Sequence, residues 1–176
     1  MYLITLEGGD GSGKGTATKM VEEILRKEAS FTSVDVTAEP RRNHPLGRLA
    51  VESVRTGEAG PLQEAGFFAA DRLDHSHMWI RPRLAMGSVV ISERNVHSSL
   101  VYQGIVGDLG LEQVARLNSG AMETQRGNSY RRAQWLAGLA LFSRGGVFIG
   151  PGLILGGMAL NRLAKQQFSD QSEPEE

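Results

Sequence analysis

Apolar and polar residues follow two periods in the first part of the chain, and each period predicts one kind of element. Runs of apolar and β-branched residues are typical of buried strands, and they cover Tyr2–Leu6, Thr32–Ala38 and Ser88–Ser92. Apolar residues at steps of three and four predict helices after residue 13 and over Leu46–Arg55, Leu62–Ile80 and Gly110–Met122, with Pro82 interrupting the chain after the third. Strands that alternate with helices predict an α/β fold with a mostly parallel sheet, covered on both faces.

The pattern changes at about Met122 and again after residue 165, so the chain has three parts. Residues 1–122 form the patterned body, residues 123–165 an atypical segment that is apolar and glycine-rich over 133–160, and residues 166–176 an acidic tail predicted to be disordered. Three interpretations of residues 133–160 stay open. The runs "GVFIG" and "GLILG" could complete the sheet, the segment could enter a membrane, or a replaced end could leave the body incomplete. Arg144 and Pro151 make a membrane span the less favoured of these.

Composition and charge exclude several classes of function. The 176 residues carry a formal net charge of −1, so no overall positive field attracts nucleic acid and no nucleic-acid partner is expected. The chain has no cysteine, which excludes disulfides and thiolate zinc sites. The apolar N-terminal run has no basic region before it and leads into a glycine loop, so it is typical of a strand and not of a secretion signal. We therefore expect a cytoplasmic protein.

The sequence "GGDGSGKGT" is a phosphate-binding loop in the right context. It fits G-x-x-x-x-G-K, although Gly15 stands where Ser or Thr is usual, and a predicted strand precedes it and a predicted helix follows. Backbone N–H groups in such a loop surround phosphate oxygens, and Lys14 would reach the β- and γ-phosphates. The residues predicted to bind the nucleotide phosphates are Gly8, Gly9, Asp10, Gly11, Ser12, Gly13, Lys14, Gly15 and Thr16.

Three later segments, together with "DG" in the loop, identify a resemblance. "TAEPRRNHPLG" follows the second predicted strand, "GFFAADR" lies on a helix, and "ISERNVHSSLVYQG" follows the third strand. In this order and spacing they resemble thymidylate kinases over residues 2 to about 122. The resemblance implies a three-layer sandwich of the P-loop NTPase type and a homodimer. It also implies transfer of the γ-phosphate of ATP to dTMP with Mg²⁺.

The resemblance also implies a role for each matched position. Lys14, Arg94 and Asp10 would be catalytic, with Asp10 at the sugar 3′-hydroxyl and Arg94 on the acceptor phosphate. Phe68 would stack on thymine, and Tyr102 would lie beneath C2′ of the sugar. The remaining acceptor positions are Arg42 on the phosphate, Arg72 on a base carbonyl, Glu39 near the acceptor and metal, and Ser98, Ser99 and Gln103 along the base and sugar. Glu93 and Glu39 are the carboxylates predicted near a metal, in its second shell.

The residue types suit this chemistry without the resemblance. Transfer between two anions requires positioning and charge compensation, which Lys14, Arg42, Arg72 and Arg94 can supply beside strand ends. Simple core packing is the alternative for Phe68. Arg41 could equally contact phosphate or stand in solvent.

A histidine-containing stretch is a further candidate site. In "DHSH" two His side chains at i and i+2 point to different sides of a helix, so we expect Asp74, His75 and His77 on a solvated face, not a metal site.

Departures from the family pattern keep other functions open. Glu93 replaces the usual Asp, Arg41 to Asn43 replace glycines, and nothing after Met122 matches, so no arginine-bearing lid can be assigned. One alternative is a catalytically impaired nucleotide-binding module without its lid, associated with a membrane if residues 133–160 enter one. The other is a kinase for a different nucleoside monophosphate.

Overall fold

The computed structural model describes residues 2–27, 31–126, 140–141 and 147–149. The strands are β1 (Tyr2–Glu7), β2 (Val34–Ala38), β3 (Val89–Glu93), β4 (Ala140–Leu141) and β5 (Val147–Ile149). The helices are α1 (Lys14–Arg26), α2 (Pro45–Thr56), α3 (Pro61–His75), α4 (Arg81–Ala85), α5 (Val96–Ser99), α6 (Leu111–Leu117) and α7 (Ser119–Arg126). π-Helical turns follow α3 at Ser76–Ile80 and α5 at Leu100–Val106.

The sheet has the order β2-β3-β1-β5-β4, and its first three strands are parallel. Leu6 of β1 and Ala38 of β2 both pair with Glu93 of β3, so the three strands end at the same edge. The segments that follow these strands therefore begin side by side, at the edge where open α/β sheets bind ligands.

Part of the atypical segment joins this sheet. β5 lies within "GVFIG" and runs antiparallel to β1, with Leu6 opposite Ile149, and β4 pairs with β5. Sheet completion by residues 133–160 stays a prediction, since "GLILG" lies outside the described residues. No helix in the ranges that the structure describes is long and apolar enough to cross a bilayer.

Both faces of the sheet are covered, as three layers require. On one face Ile4, Leu6 and Ile91 pack with Leu25 of α1, and on the other Leu3 and Val90 pack with the helical segment after α3. Alternate residues of each central strand point to opposite faces. The strands are apolar at consecutive positions because both faces are buried.

Two helices differ from the predicted ones. Pro82 does not interrupt the chain, since α3 passes through the π turn directly into α4. The Arg81 N–H bonds to the carbonyl of Ser76, five residues back, and this wider turn accommodates a proline ring that would clash in an α-helix. The helix predicted over Gly110–Met122 is divided at Asn118, whose buried side chain bonds to the Val114 carbonyl and to Arg72.

A buried ion cluster joins α3 to the end of β2. Glu39 follows β2 and is 4% exposed; its Oε2 accepts from Arg72 Nε at 2.6 Å, and its Oε1 lies 2.9 Å from His75 Nδ1. His75 Nε2 contacts the Thr37 hydroxyl at 2.8 Å. Burial raises the pKa of the Glu39 carboxyl, but Arg72 and His75 outweigh burial and hold the pKa below its ordinary 4.5.

The loop between β2 and α2 is fixed by a second set of polar contacts. The backbone N–H and the Nε of Arg41 both donate to the buried carboxylate of Asp71 at 2.9 Å, and its Nη2 donates to Asp74 at 2.7 Å. Gly47 of α2 packs directly on this loop, because a Cβ at that position would lie 2.1 Å from the Arg41 carbonyl oxygen.

The ion cluster predicts a pH-dependent loss of stability in Glu39→Gln. A depressed pKa contributes stability that is present above about pH 4.5 and is lost as the pH falls through the lower folded-state pKa. At pH 7 we expect the variant to lose about 3 kcal/mol in unfolding free energy, measured with urea. The difference in unfolding free energy between variant and parent should shrink below pH 4.5. Plots of unfolding free energy against pH that stay parallel would contradict this prediction. Glu52→Gln, which breaks an exposed pair with Arg55, is the control and should change little.

Two glycine substitutions should change stability in opposite directions. Gly47→Ala places a methyl group against the Arg41 backbone and should destabilise by about 1–3 kcal/mol in urea unfolding. Gly66→Ala lies in α3 with nothing within 4 Å of the new Cβ, and should stabilise by about 0.5–1 kcal/mol. A stable Gly47→Ala protein would show that the loop moves freely away from α2.

Candidate active site

A cavity of about 460 Å³ opens at the edge of the sheet where β1, β2 and β3 end. It is lined by Asp10, Glu39, Pro40, Arg42, Val51, Val54, Glu64, Phe68, Arg72, Arg94, Ser98, Ser99, Tyr102, Gln103, Val106 and Gly107. The ten positions that the resemblance gives to the acceptor all belong to this lining. The structure thus brings together residues from four separate segments of the chain.

The phosphate loop connects β1 to α1 and fits an anion. Gly11 and Gly13 have φ of 74° and 80°, in the left-handed region that favours glycine. Ser12 Oγ is buried without a hydrogen-bond partner among the described residues. A Cβ on Gly9, Gly11 or Gly13 would meet nothing within 4 Å, and Lys14 Nζ donates to the Gly9 carbonyl at 2.6 Å. The loop therefore offers an unpaired hydroxyl, a cation and open space, which together suit the binding of phosphate oxygens.

Arg94 connects this loop to the cavity. Its Nη2 donates to Asp10 at 2.7 Å and its Nη1 to the Ser98 hydroxyl at 3.1 Å, while the guanidinium lies 5.3 Å from the centre of the Tyr102 ring. The residue has φ of 67°, which a non-glycine residue rarely adopts. Its N–H bonds to the Leu6 carbonyl at 2.8 Å, so the end of β1 fixes the strained backbone.

The wall of the cavity combines a fixed cation with two aromatic rings. Arg72 is 2% exposed, and its donors bond to Glu39, to Asn118 and to the Asn95 carbonyl. Phe68 is half-buried in the wall and belongs to neither apolar cluster of the core, and Tyr102 is 43% exposed. This wall suits a flat, mostly apolar ring with polar edges.

Two expectations about neighbouring residues are wrong. Arg41 is neither a phosphate contact nor a solvated side chain, because Asp71 and Asp74 bind it. The "DHSH" stretch is not a wholly solvated face: His75 is completely buried in the Glu39 cluster, and His77 contacts Thr124. Periodicity places a histidine on a helix, but it does not show that the carboxylate that follows β2 meets it there.

Arg42, by contrast, lies where it was expected, because it is exposed and lines the cavity.

The two carboxylates predicted near a metal differ in their surroundings. Both oxygens of Glu39 are engaged by Arg72 and His75. Glu93 Oε1 lies 3.7 Å from where a Cβ on Gly15 would stand, so this carboxylate is beside the phosphate loop. Within residues 2–27, 31–126, 140–141 and 147–149, no group of three or more His, Cys, Asp or Glu side chains could hold a metal ion. This arrangement fits a cation held mainly by phosphate oxygens, with Glu93 nearby.

Sequence reasoning missed two carboxylates of the site. Glu64 of α3 lines the cavity and accepts from Gln103 Nε2 at 2.9 Å. Glu7 ends β1 and is 5% exposed, with its oxygens bound by the Asn95 N–H and the Ser98 hydroxyl. An acidic residue that closes an apolar strand just before a glycine loop was the available signal for Glu7.

Known proteins resemble this chain over the same residues. A model of the family described as thymidylate kinase matches residues 6–125. A probable thymidylate kinase of Pyrobaculum aerophilum is 40% identical over 120 residues, 68% of this chain and 58% of that protein. A thymidylate kinase of Synechococcus sp. (strain JA-3-3Ab) is 42% identical over 117 residues, 66% of this chain and 56% of that protein.

A solved structure agrees with these relatives. The crystal structure of a thymidylate kinase from Ehrlichia chaffeensis matches with a TM-score of 0.59 and 30% identity, over 68% of this chain and 66% of that chain. This chain spans less than three-fifths of the length of the two relatives named above. The family model nevertheless covers well over half of this chain, and it includes the phosphate loop and every predicted acceptor residue. The chain belongs to the thymidylate kinase family.

Proposed function

We propose that this protein transfers the γ-phosphoryl group of ATP to dTMP and releases ADP and dTDP. The observation that carries the proposal is the contact between Asp10 of the phosphate loop and Arg94 of the cavity, at 2.7 Å. It joins a donor site and an acceptor site into one continuous surface at the sheet edge. A loop that served structure alone would not need a lined cavity beside it.

The cavity favours a pyrimidine deoxynucleotide as the acceptor. Phe68 offers a face for the base, and the fixed guanidinium of Arg72 can meet a base carbonyl. Arg94 and the exposed Arg42 also line the cavity and would contact the acceptor phosphate, whose oxygens suit a planar fork. Tyr102 would lie along the sugar and exclude a 2′-hydroxyl group.

The reaction requires little covalent chemistry from the protein. An acceptor phosphate oxygen forms a bond to the γ-phosphorus, and the bond to the β,γ-bridging oxygen breaks, with its electron pair leaving on ADP. Lys14 and the loop N–H groups would hold the β- and γ-phosphates, while Arg94 would hold the acceptor phosphate in line. Bound Mg²⁺, with Glu93 the residue nearest to hold it, would supply further neutralisation of phosphate charge.

A coupled assay of ADP release tests the proposal directly. We expect dTMP-dependent turnover with ATP and Mg²⁺, and slower turnover with dUMP and UMP. Binding of ATP without dTMP-dependent turnover would instead identify a nucleotide-binding module that lacks its lid. The homodimer and the cytoplasmic location remain predictions, and a monomer in sedimentation at micromolar concentration would contradict the first.

Lys14→Ala should reduce kcat by about 10³-fold, because the ammonium acts on charge that develops during transfer. Lys14 is outside the cavity lining, so calorimetry should find the affinity for dTMP unchanged. Lys19→Ala, on the exposed side of α1, is the matched control and should keep the parent's turnover. Near-normal turnover in Lys14→Ala would show that the loop has a structural role only.

Tyr102→Ala tests the choice of sugar. If the ring lies beneath C2′, the parent should prefer dTMP to ribothymidine 5′-monophosphate in kcat/KM, and the variant should lose about 10- to 200-fold of that preference. Tyr102→Phe keeps the ring and should keep the preference. A Tyr102→Ala protein that melts earlier but has the parent's ratio would show that the ring only stabilises its helix.

A further inference from the structure

We propose that Glu7 is a positioning residue that sets the direction of the Arg94 guanidinium through the hydroxyl group of Ser98. This inference rests on the proposed function, in which Arg94 contacts the acceptor phosphate. Glu7 ends β1 and does not line the cavity. Any effect of Glu7 on the acceptor must therefore pass through a neighbouring residue.

The carboxylate of Glu7 is enclosed and fully bonded. The residue is 5% exposed; Oε1 accepts from the Asn95 N–H at 2.8 Å, and Oε2 accepts from the Ser98 hydroxyl at 2.5 Å. Among the described residues its only ion-pair neighbour is His97, whose Nδ1 is 3.6 Å from Oε1. A carboxylate buried without an Arg or Lys partner is costly unless hydrogen bonds saturate it, so both donors are necessary.

The hydrogen bond to Glu7 decides which way the Ser98 hydroxyl points. A serine has one proton to donate, and a carboxylate only accepts, so the proton lies toward Glu7. The Ser98 oxygen then presents only lone pairs to Arg94, whose Nη1 donates to it at 3.1 Å. Nη2 donates to Asp10 at 2.7 Å, so the guanidinium is held between α5 and the phosphate loop.

The two oxygens of Glu7 have separate tasks. Oε1 bonds to the backbone at the start of α5, which is an anchoring contact. Oε2 bonds to a side chain whose other contact is the guanidinium at the cavity wall. If Glu7 only anchored the backbone, Oε1 would be sufficient. Loss of that anchoring contact would weaken the binding of every ligand equally. Orientation of Arg94 instead predicts an effect confined to ligands that carry a phosphate.

Glu7→Gln separates the two roles, and dTMP and thymidine are the probes. The amide is similar in size and still accepts from Asn95, but it presents an N–H to Ser98, so the hydroxyl proton must turn away from position 7 and the direction in which the Ser98 oxygen accepts from Arg94 is no longer fixed. We expect the Kd for dTMP to rise about tenfold in calorimetry, and that for thymidine to change by less than about twofold. Glu23→Gln, exposed on α1, is the matched control and should change neither constant. Arg94→Ala is the reference for full loss of the phosphate contact.

The outcomes distinguish this inference from the proposed function. A phosphate-selective loss in Arg94→Ala but not in Glu7→Gln overturns the inference and leaves the proposed function standing. No phosphate-selective loss in Arg94→Ala overturns the inference together with the phosphate contact proposed for Arg94, while dTMP-dependent turnover of the parent tests the proposed function by itself. If Glu7→Gln does not fold, Ser98→Ala tests the inference in its place. Removal of the hydroxyl should weaken the binding of dTMP more than that of thymidine. An equal loss for the two ligands in Ser98→Ala would show that Glu7 and Ser98 act only as structural contacts.

Discussion

The buried ion pair between Glu39 and Arg72 is the contact on which the site depends. Both side chains are almost fully enclosed, at 2% exposure each, so neither charge can be left without the other. The pair fixes α3 against the end of β2, and Phe68 lies one helical turn before Arg72 on α3. The position of the aromatic wall is therefore determined by electrostatics at the sheet edge as much as by apolar packing.

Local patterns predicted the parts of the fold that depend on local physics. The three parallel strands, α1 and the phosphate loop follow from periodicity and glycine spacing, and the resemblance identified the acceptor residues that the cavity gathers. The π turn before Pro82, the division at Asn118 and the burial of His75 could not be found in this way. The last two arise where segments more than thirty residues apart in the sequence meet, as Asn118 meets Arg72 and Glu39 meets His75.

The three arginines of the cavity differ in how strongly neighbouring residues constrain their side chains. Arg72 is bonded to three partners and enclosed, Arg94 is held on two sides but accessible, and Arg42 is exposed. A ligand would thus meet a rigid surface at the base end and an adaptable one at the phosphate end. This order would suit the proposed transfer reaction, because recognition of a ring requires fixed geometry while an acceptor phosphate has to receive a second phosphoryl group.

Gly15 and Glu93 each depart from the usual pattern, and the structure makes them neighbours. A side chain at position 15 would begin 3.7 Å from a Glu93 oxygen, at an ordinary contact distance, so crowding does not impose the glycine. Position 15, which lacks a hydroxyl, and the carboxylate of Glu93 lie side by side. An oxygen is brought to the start of α1 from β3 instead of from the loop itself. A carboxylate oxygen at the end of β3 therefore stands beside the loop position at which a hydroxyl is usual.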